Sequence, residues 1–139
     1  MSENIEPSAP RGELAIRVLA MPANTNQNGD IFGGWLLGQM DIGGDITVSR
    51  LSQSRCVTVS VDEMSFRKPV CVGDVVCIHV DVERIGRTSA TVLIEAWVVR
   101  LNEVDPILVA KGKFVYVAID DDGRPLAIRR AATAGIAVR

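Results

Sequence analysis

Asp41 stands in the stretch GGWLLGQMDIGG, Gly33 to Gly44, with apolar residues on both sides of it. A carboxylate set against apolar surface is a candidate general base or nucleophile. Gly33 and Gly34 open the same stretch. If they also open a helix, their N–H groups have no partner within it and lie at its positive end. There they can donate to an oxygen that gains negative charge. Two plainer readings stand beside these. Asp41 can be solvated, or paired with Arg50 or with an arginine of a neighbouring chain. The glycines can serve only to let another element approach closely.

The stretch has helical spacing. Leu36, Leu37, Met40, Gly44, Val48 and Leu51 fall on one face at about 100° per residue, and Trp35, Ile42 and Ile46 fall on the opposite one. The helix is expected over about Gly33 to Leu51. A helix apolar on two opposed faces is covered on more than one side, and the covers expected here are its own sheet and another subunit. Asp41, Asp45 and Gly38 form a narrow polar seam between the stripes. Gly38, Gly43 and Gly44 lie inside the helix, where each costs about 1 kcal/mol against alanine.

Around the helix the chain has strand character. ELAIRVLAM is a short strand, and PANTNQNGDI is a loop of turn-forming residues. In RCVTVSVDEMSF, Val57, Val59 and Val61 alternate onto one face. VVCIHVDVERI places Val76, Ile78, Val80 and Val82 together, and ATVLIEAWVVRL does the same for Val92, Ile94, Ala96 and Val98. ILVAKGKFVYVAI is the last strand. The order is strand, loop, helix, then four strands in hairpin-like succession, which predicts an α+β fold with an antiparallel sheet wrapped on one helix. Residues 1–12 are expected to be a flexible lead, 13–128 the domain, and 129–139 a basic, alanine-rich tail.

Composition narrows the function classes. At 139 residues with 47% hydrophobic residues, the chain can bury the core of one domain. A net charge of −2 gives no overall pull towards nucleic acid or membrane. No apolar run approaches the ~20 residues of a membrane span, and the acidic, proline-containing N-terminus is not expected to be a signal peptide. Three cysteines, Cys56, Cys71 and Cys77, are an odd number, and two fall in strand-like runs, so a disulfide framework is not expected and a reducing cytoplasm is. The one histidine, His79, and the lack of a Cys-x-x-Cys pair argue against a metal site.

MPANTNQNGDIFGGWLLGQMDIGG, followed in order by VTVSVDEMSFRKPVCVGDVV, GRTS and KFVYVAIDDDGRP, resembles the hotdog-fold acyl-CoA thioesterases, in particular their bacterial YciA-type branch. The resemblance spans roughly residues 13–128. It implies a curved antiparallel sheet around one long helix, and hydrolysis of acyl-CoA to a free acid and CoA with no metal or cofactor. It also implies pairing of subunits through their sheets and assembly as a trimer of dimers. By motif position Asp41 would be the catalytic carboxylate, Asn26 would orient water or the thioester, and the Gly33 and Gly34 amides would polarise the carbonyl. Arg67 and Lys68, with the turn Gly86, Arg87, Thr88 and Ser89, would meet the nucleotide end of CoA, unless Arg67, Lys68 and Arg87 are ordinary solvated turn charges; Arg129 and Arg130 are further candidates. Phe32, Trp35 and Met64 would line the pantetheine or acyl path, unless they pack in the core.

Spacing adds a constraint. Eight helical residues separate Gly33 from Asp41, a rise of ~12 Å, yet base and oxyanion donor must both come within ~3 Å of one reacting centre. Two antiparallel helices across a two-fold axis satisfy this, so the site is expected to be shared between subunits. Asp45, one turn after Asp41, departs from the pattern by placing a second carboxylate where like charges repel. It is expected to face a basic residue of a neighbouring chain, or else to raise the pKa of Asp41 or bind an ordered water. Two rival functions remain. A hotdog dehydratase needs a histidine beside a carboxylate, and His79 is far from the helix motif in sequence. A non-catalytic acyl-CoA sensor would need no Asp41–Asn26 pair.

Overall fold

A computed structural model describes residues 7–128. Arg129, Arg130 and the rest of the basic tail lie outside the described residues. The helical spacing produces α1 (Gly33–Ser52), which Gln53 ends in a left-handed conformation (φ 55°). Five strands surround it: β1 (Glu13–Leu19), β2 (Arg55–Phe66), β3 (Val75–Ile85), β4 (Ser89–Val99) and β5 (Ile107–Ile119). They form one antiparallel sheet in the order β1-β3-β4-β5-β2. This is the hotdog arrangement that the resemblance implies.

The two faces follow from strand alternation. Val76, Ile78, Val80 and Val82 of β3, with Val92, Ile94, Ala96 and Val98 of β4, point to the helix side and are buried. Leu36, Met40, Val48 and Leu51 of α1 meet them there in one core. The second helical stripe differs, because Ile42 and Ile46 remain 48% and 40% exposed in the single chain.

Two strand expectations need correction. β2 does not form a hairpin with β3. It pairs with β5 at the far edge, so the connection 67–74 carries the chain past β4 and β5. Hydrophobic alternation shows that a strand is half-buried but does not name its neighbour. In addition, Val57, Val59 and Val61 do not share a face. The ladder with β5 shifts between Thr58 and Ser60, so Val57 pairs with Val117 and Val61 with the core residue Phe114. A bulge of one residue reverses the facing of everything after it.

The lead is anchored at its end. The Arg11 guanidinium bonds to Asp81, and the Arg11 N–H donates to Glu95 Oε1 at 2.9 Å. Asp81 and Glu95 are both buried on the sheet face away from α1, and buried carboxylates need partners. Trp97 Nε1 also donates to Glu95 Oε1, at 2.9 Å. Gly12 (φ 91°) presses against the Val80 carbonyl, and a Cβ there would lie 2.4 Å from its oxygen.

Helix and sheet come close together at Gly43 and Gly44. A Cβ on Gly44 would lie 2.1 Å from Tyr116 Oη and 2.8 Å from Ile94 Cδ1, and one on Gly43 would lie 2.8 Å from Ile78 Cγ2. Gly44→Ala therefore sets a gain of ~1 kcal/mol in helix propensity against overpacking of ~1–3 kcal/mol or more. Net destabilisation is expected, read as a lower denaturant midpoint. A midpoint at or above wild type would refute the close contact.

Candidate active site

Asp41 lies on the flank of α1 that faces β2 and β5, half-buried. Two side chains converge on one of its oxygens. Thr58 Oγ1 of β2 donates to Asp41 Oδ1 at 2.6 Å. Tyr116 Oη of β5 lies 2.9 Å from the same oxygen and 3.0 Å from the Asp41 carbonyl. Thr58 and Tyr116 are ladder partners, which brings both hydroxyls to the same place. Oδ2 accepts no hydrogen bond from the described residues. One oxygen is thus held and the other is presented outward. Gly38, one turn before, adds no bulk, since a Cβ there would meet nothing within 4 Å.

The surroundings assign proton states. Burial, and then the hydrogen bond to and charge of Asp41, push the Tyr116 hydroxyl well above its ordinary value, so it acts as a donor. Cys56, two residues before Thr58, is the nearby alternative nucleophile. Its Sγ lies 3.3 Å from Ser49 Oγ and 3.4 Å from Asp45 Oδ1. Burial, aided by Asp45, pushes this thiol up to about 11 against the lowering bond from Ser49. At neutral pH it is a neutral thiol and a poor nucleophile. Within the chain Asp45 accepts from Ser49 Oγ at 2.8 Å.

The other half of the expected site is at the start of α1. Phe32 precedes the helix in an extended conformation (φ −57°, ψ 134°) without capping it by its side chain. The Leu36 N–H returns to the Phe32 carbonyl at 3.2 Å, whereas the Gly33 and Gly34 N–H groups meet no acceptor among the described residues. Asn26 sits in the loop before this end. Its Oδ1 accepts from the Asn28 and Asp30 N–H groups at 2.8 and 3.2 Å, which fixes the side chain on its own turn. Asn26 thus pairs with Asp30 across the turn that leads into α1, and Gly33 at the helix start stands ~12 Å along the axis from Asp41.

The remaining candidates separate as well. Arg67 and Lys68 follow β2 beside the helix start, where their N–H groups bond the Val109 carbonyl at 2.6 and 3.3 Å. Arg67 Nε also donates to Ser65 Oγ at 3.1 Å. Gly86–Ser89 is the β3–β4 turn at the opposite end of the sheet. There the Ala118 N–H bonds the Thr88 carbonyl at 2.9 Å and the Ile128 N–H bonds that of Arg87 at 2.8 Å. Along β5, Ala110 to Ala118 is about 26 Å, so one subunit does not unite the two clusters. Phe32 is 53% exposed at the helix start. Trp35 and Met64 are partly buried against the core, and Met64 lies over Gly112.

Thr58 and Tyr116 escape a motif search, although each leaves a trace in the sequence. Thr58 alternates with valines in a strand, and Tyr116 is the chain's one tyrosine, set in an apolar run where its hydroxyl requires a partner.

Comparison with known proteins now decides the family. The thioesterase superfamily profile matches residues 28–103, which include Asp41, Thr58 and the helix start. The chain belongs to the thioesterase superfamily. Among curated members, the acyl-CoA thioester hydrolase YciA of Salmonella typhimurium is 49% identical over 122 residues, covering 85% of this chain and 91% of that one. Among solved thioesterase structures, the hexameric thioesterase y2039 from Yersinia pestis is 51% identical with a TM-score of 0.83, covering 88% of this chain and 99% of that one. An acyl-CoA hydrolase from Staphylococcus aureus, determined with butyryl coenzyme A and coenzyme A, is 27% identical. Its TM-score is 0.76, over 81% of this chain and 69% of that one.

Proposed function

We propose that this protein hydrolyses acyl-CoA thioesters to a free carboxylic acid and CoA. The observation that carries the reading is the Asp41 carboxylate, held through Oδ1 by Thr58 and Tyr116 and open at Oδ2, on the same helix whose first amides are unpaired. The kinship with acyl-CoA thioester hydrolases supports it.

The working unit in this reading is a two-fold dimer. Asn26, Gly33 and Gly34 of one subunit face Asp41 of the other, because ~12 Å separates the two ends within one helix. Antiparallel pairing of the free β2 edges would also carry the Gly86–Ser89 turn of one subunit towards Arg67 and Lys68 of the other. These cationic and hydroxyl groups would then meet the CoA phosphates together. Phe32, Trp35 and Met64 would border the path of the pantetheine and acyl chain. Three such dimers form the assembly, in keeping with the hexameric thioesterase from Yersinia pestis.

The Gly33 and Gly34 amides polarise the thioester carbonyl, and Asn26 orients the water or the thioester. Oδ2 of Asp41 then takes a proton from water as it attacks, or attacks the carbonyl itself to give a mixed anhydride that water opens. Both routes use the same atom and expel the same thiolate. A thiolate is a far weaker base than an alkoxide and leaves with little help from an acid, so this reading calls on no metal, cofactor or histidine. The free thiols Cys56, Cys71 and Cys77 suit a reducing cytoplasm.

The test is release of thiol from acyl-CoAs of graded chain length, followed with a chromogenic reagent. One thiol and one acid per acyl-CoA consumed are expected. Binding without release for every chain length would replace hydrolysis with a sensor function.

A further inference from the structure

Tyr116 is fully buried, yet its hydroxyl reaches the one carboxylate that the reaction needs. Granted that Asp41 serves hydrolysis as proposed above, we propose that Tyr116 is a positioning residue that pins the Asp41 carboxylate by Oδ1 and so makes Oδ2 the reacting oxygen.

The geometry gives three reasons. First, the two donors come from different strands, Thr58 from edge strand β2 and Tyr116 from the interior strand β5. Turning the carboxylate about its last bond would break both bonds at once. Second, the one hydroxyl proton of Tyr116 is shared between Oδ1 and the Asp41 carbonyl at 2.9 and 3.0 Å. It therefore ties side chain and helix backbone to β5 together. Third, the contact exists only because position 44 lacks a side chain: a Cβ there would lie 2.1 Å from Tyr116 Oη. Gly44 is thus the space through which the sheet reaches the helix carboxylate. Tyr116 is closed off from solvent even in the single chain, so water cannot take its place as donor.

Tyr116→Phe keeps the ring and removes the pin. The variant is expected to lose on the order of 10- to 100-fold in kcat, as a misplaced reacting group does, with KM within about twofold. A tyrosine that served only folding would reduce the folded fraction and the melting temperature without lowering kcat per folded molecule. A kcat per folded molecule within about twofold of wild type overturns the proposal. If Asp41→Asn is inactive in parallel, the hydrolase reading still stands; if Asp41→Asn is active, that reading itself falls.

A second measurement does not depend on how Tyr116→Phe folds. The chain has one tyrosine, so growth with 3-fluorotyrosine labels this position alone. The fluorine resonance is expected to move when Asp41→Asn is introduced, because the hydroxyl then faces an amide in place of a carboxylate. An unmoved resonance would overturn the contact and the proposal with it.

Discussion

Asp41→Asn should reduce kcat by about 10²- to 10⁴-fold, the range expected for loss of a positioned base, with little change in KM or melting temperature. The bonding around Asp41 makes this a clean substitution. Thr58 and Tyr116 both donate to Oδ1, and an asparagine can accept both bonds through its carbonyl oxygen. Its NH₂ group then takes the place of Oδ2, where it can neither accept a proton nor attack a carbonyl. The fold keeps its contacts and the chemistry loses its reagent. Steady-state kinetics of the purified protein, with calorimetry as the stability control, decides the matter. A loss below ~10-fold would remove Asp41 from the mechanism.

The second large effect is complementation between two nearly inactive proteins. Gly33→Pro removes one N–H at the helix start. Proline is suited to the first helical position, where no bond within the helix is lost. Phe32 before it is already extended (ψ 134°), and a Cβ at Gly33 would make ordinary contact with Phe66 at 3.5 Å. The helix should stand and one of the two oxyanion donors should go, at a cost of about 10²-fold or more in kcat. If each site joins the helix start of one subunit to Asp41 of another, a mixed dimer of Gly33→Pro and Asp41→Asn chains contains one intact site. Co-expression in equal amounts makes half the dimers mixed, so about a quarter of wild-type activity should return. A site contained in one chain would return none, and the measured rate would stay near the mean of the two parents.

The parts of this protein differ in how well they could be foreseen. α1 begins at Gly33 and β2, β3 and β5 have the expected limits, because their apolar periods persist over eleven or more residues. The neighbours of β2 were not foreseeable in the same way. A strand that alternates gives its faces but not its partner, and the bulge at Val59 leaves no composition signal. The site divides along the same line. Asp41 and the two glycines are adjacent in sequence and carry a local motif. Thr58 and Tyr116 join Asp41 only through the ladder between β2 and β5, which brings together residues far apart in the chain.

The free edge of β2 has a consequence for handling the protein. Val57–Val61, VTVSV, is an uncharged segment of high β-propensity, with all three valines exposed in the single chain. Such an edge is a template for any other strand. A separated subunit would therefore present a surface prone to aggregation, and inactivation on dilution would then be irreversible. A monomeric form would need a gatekeeper charge at this edge before it could be kept in solution.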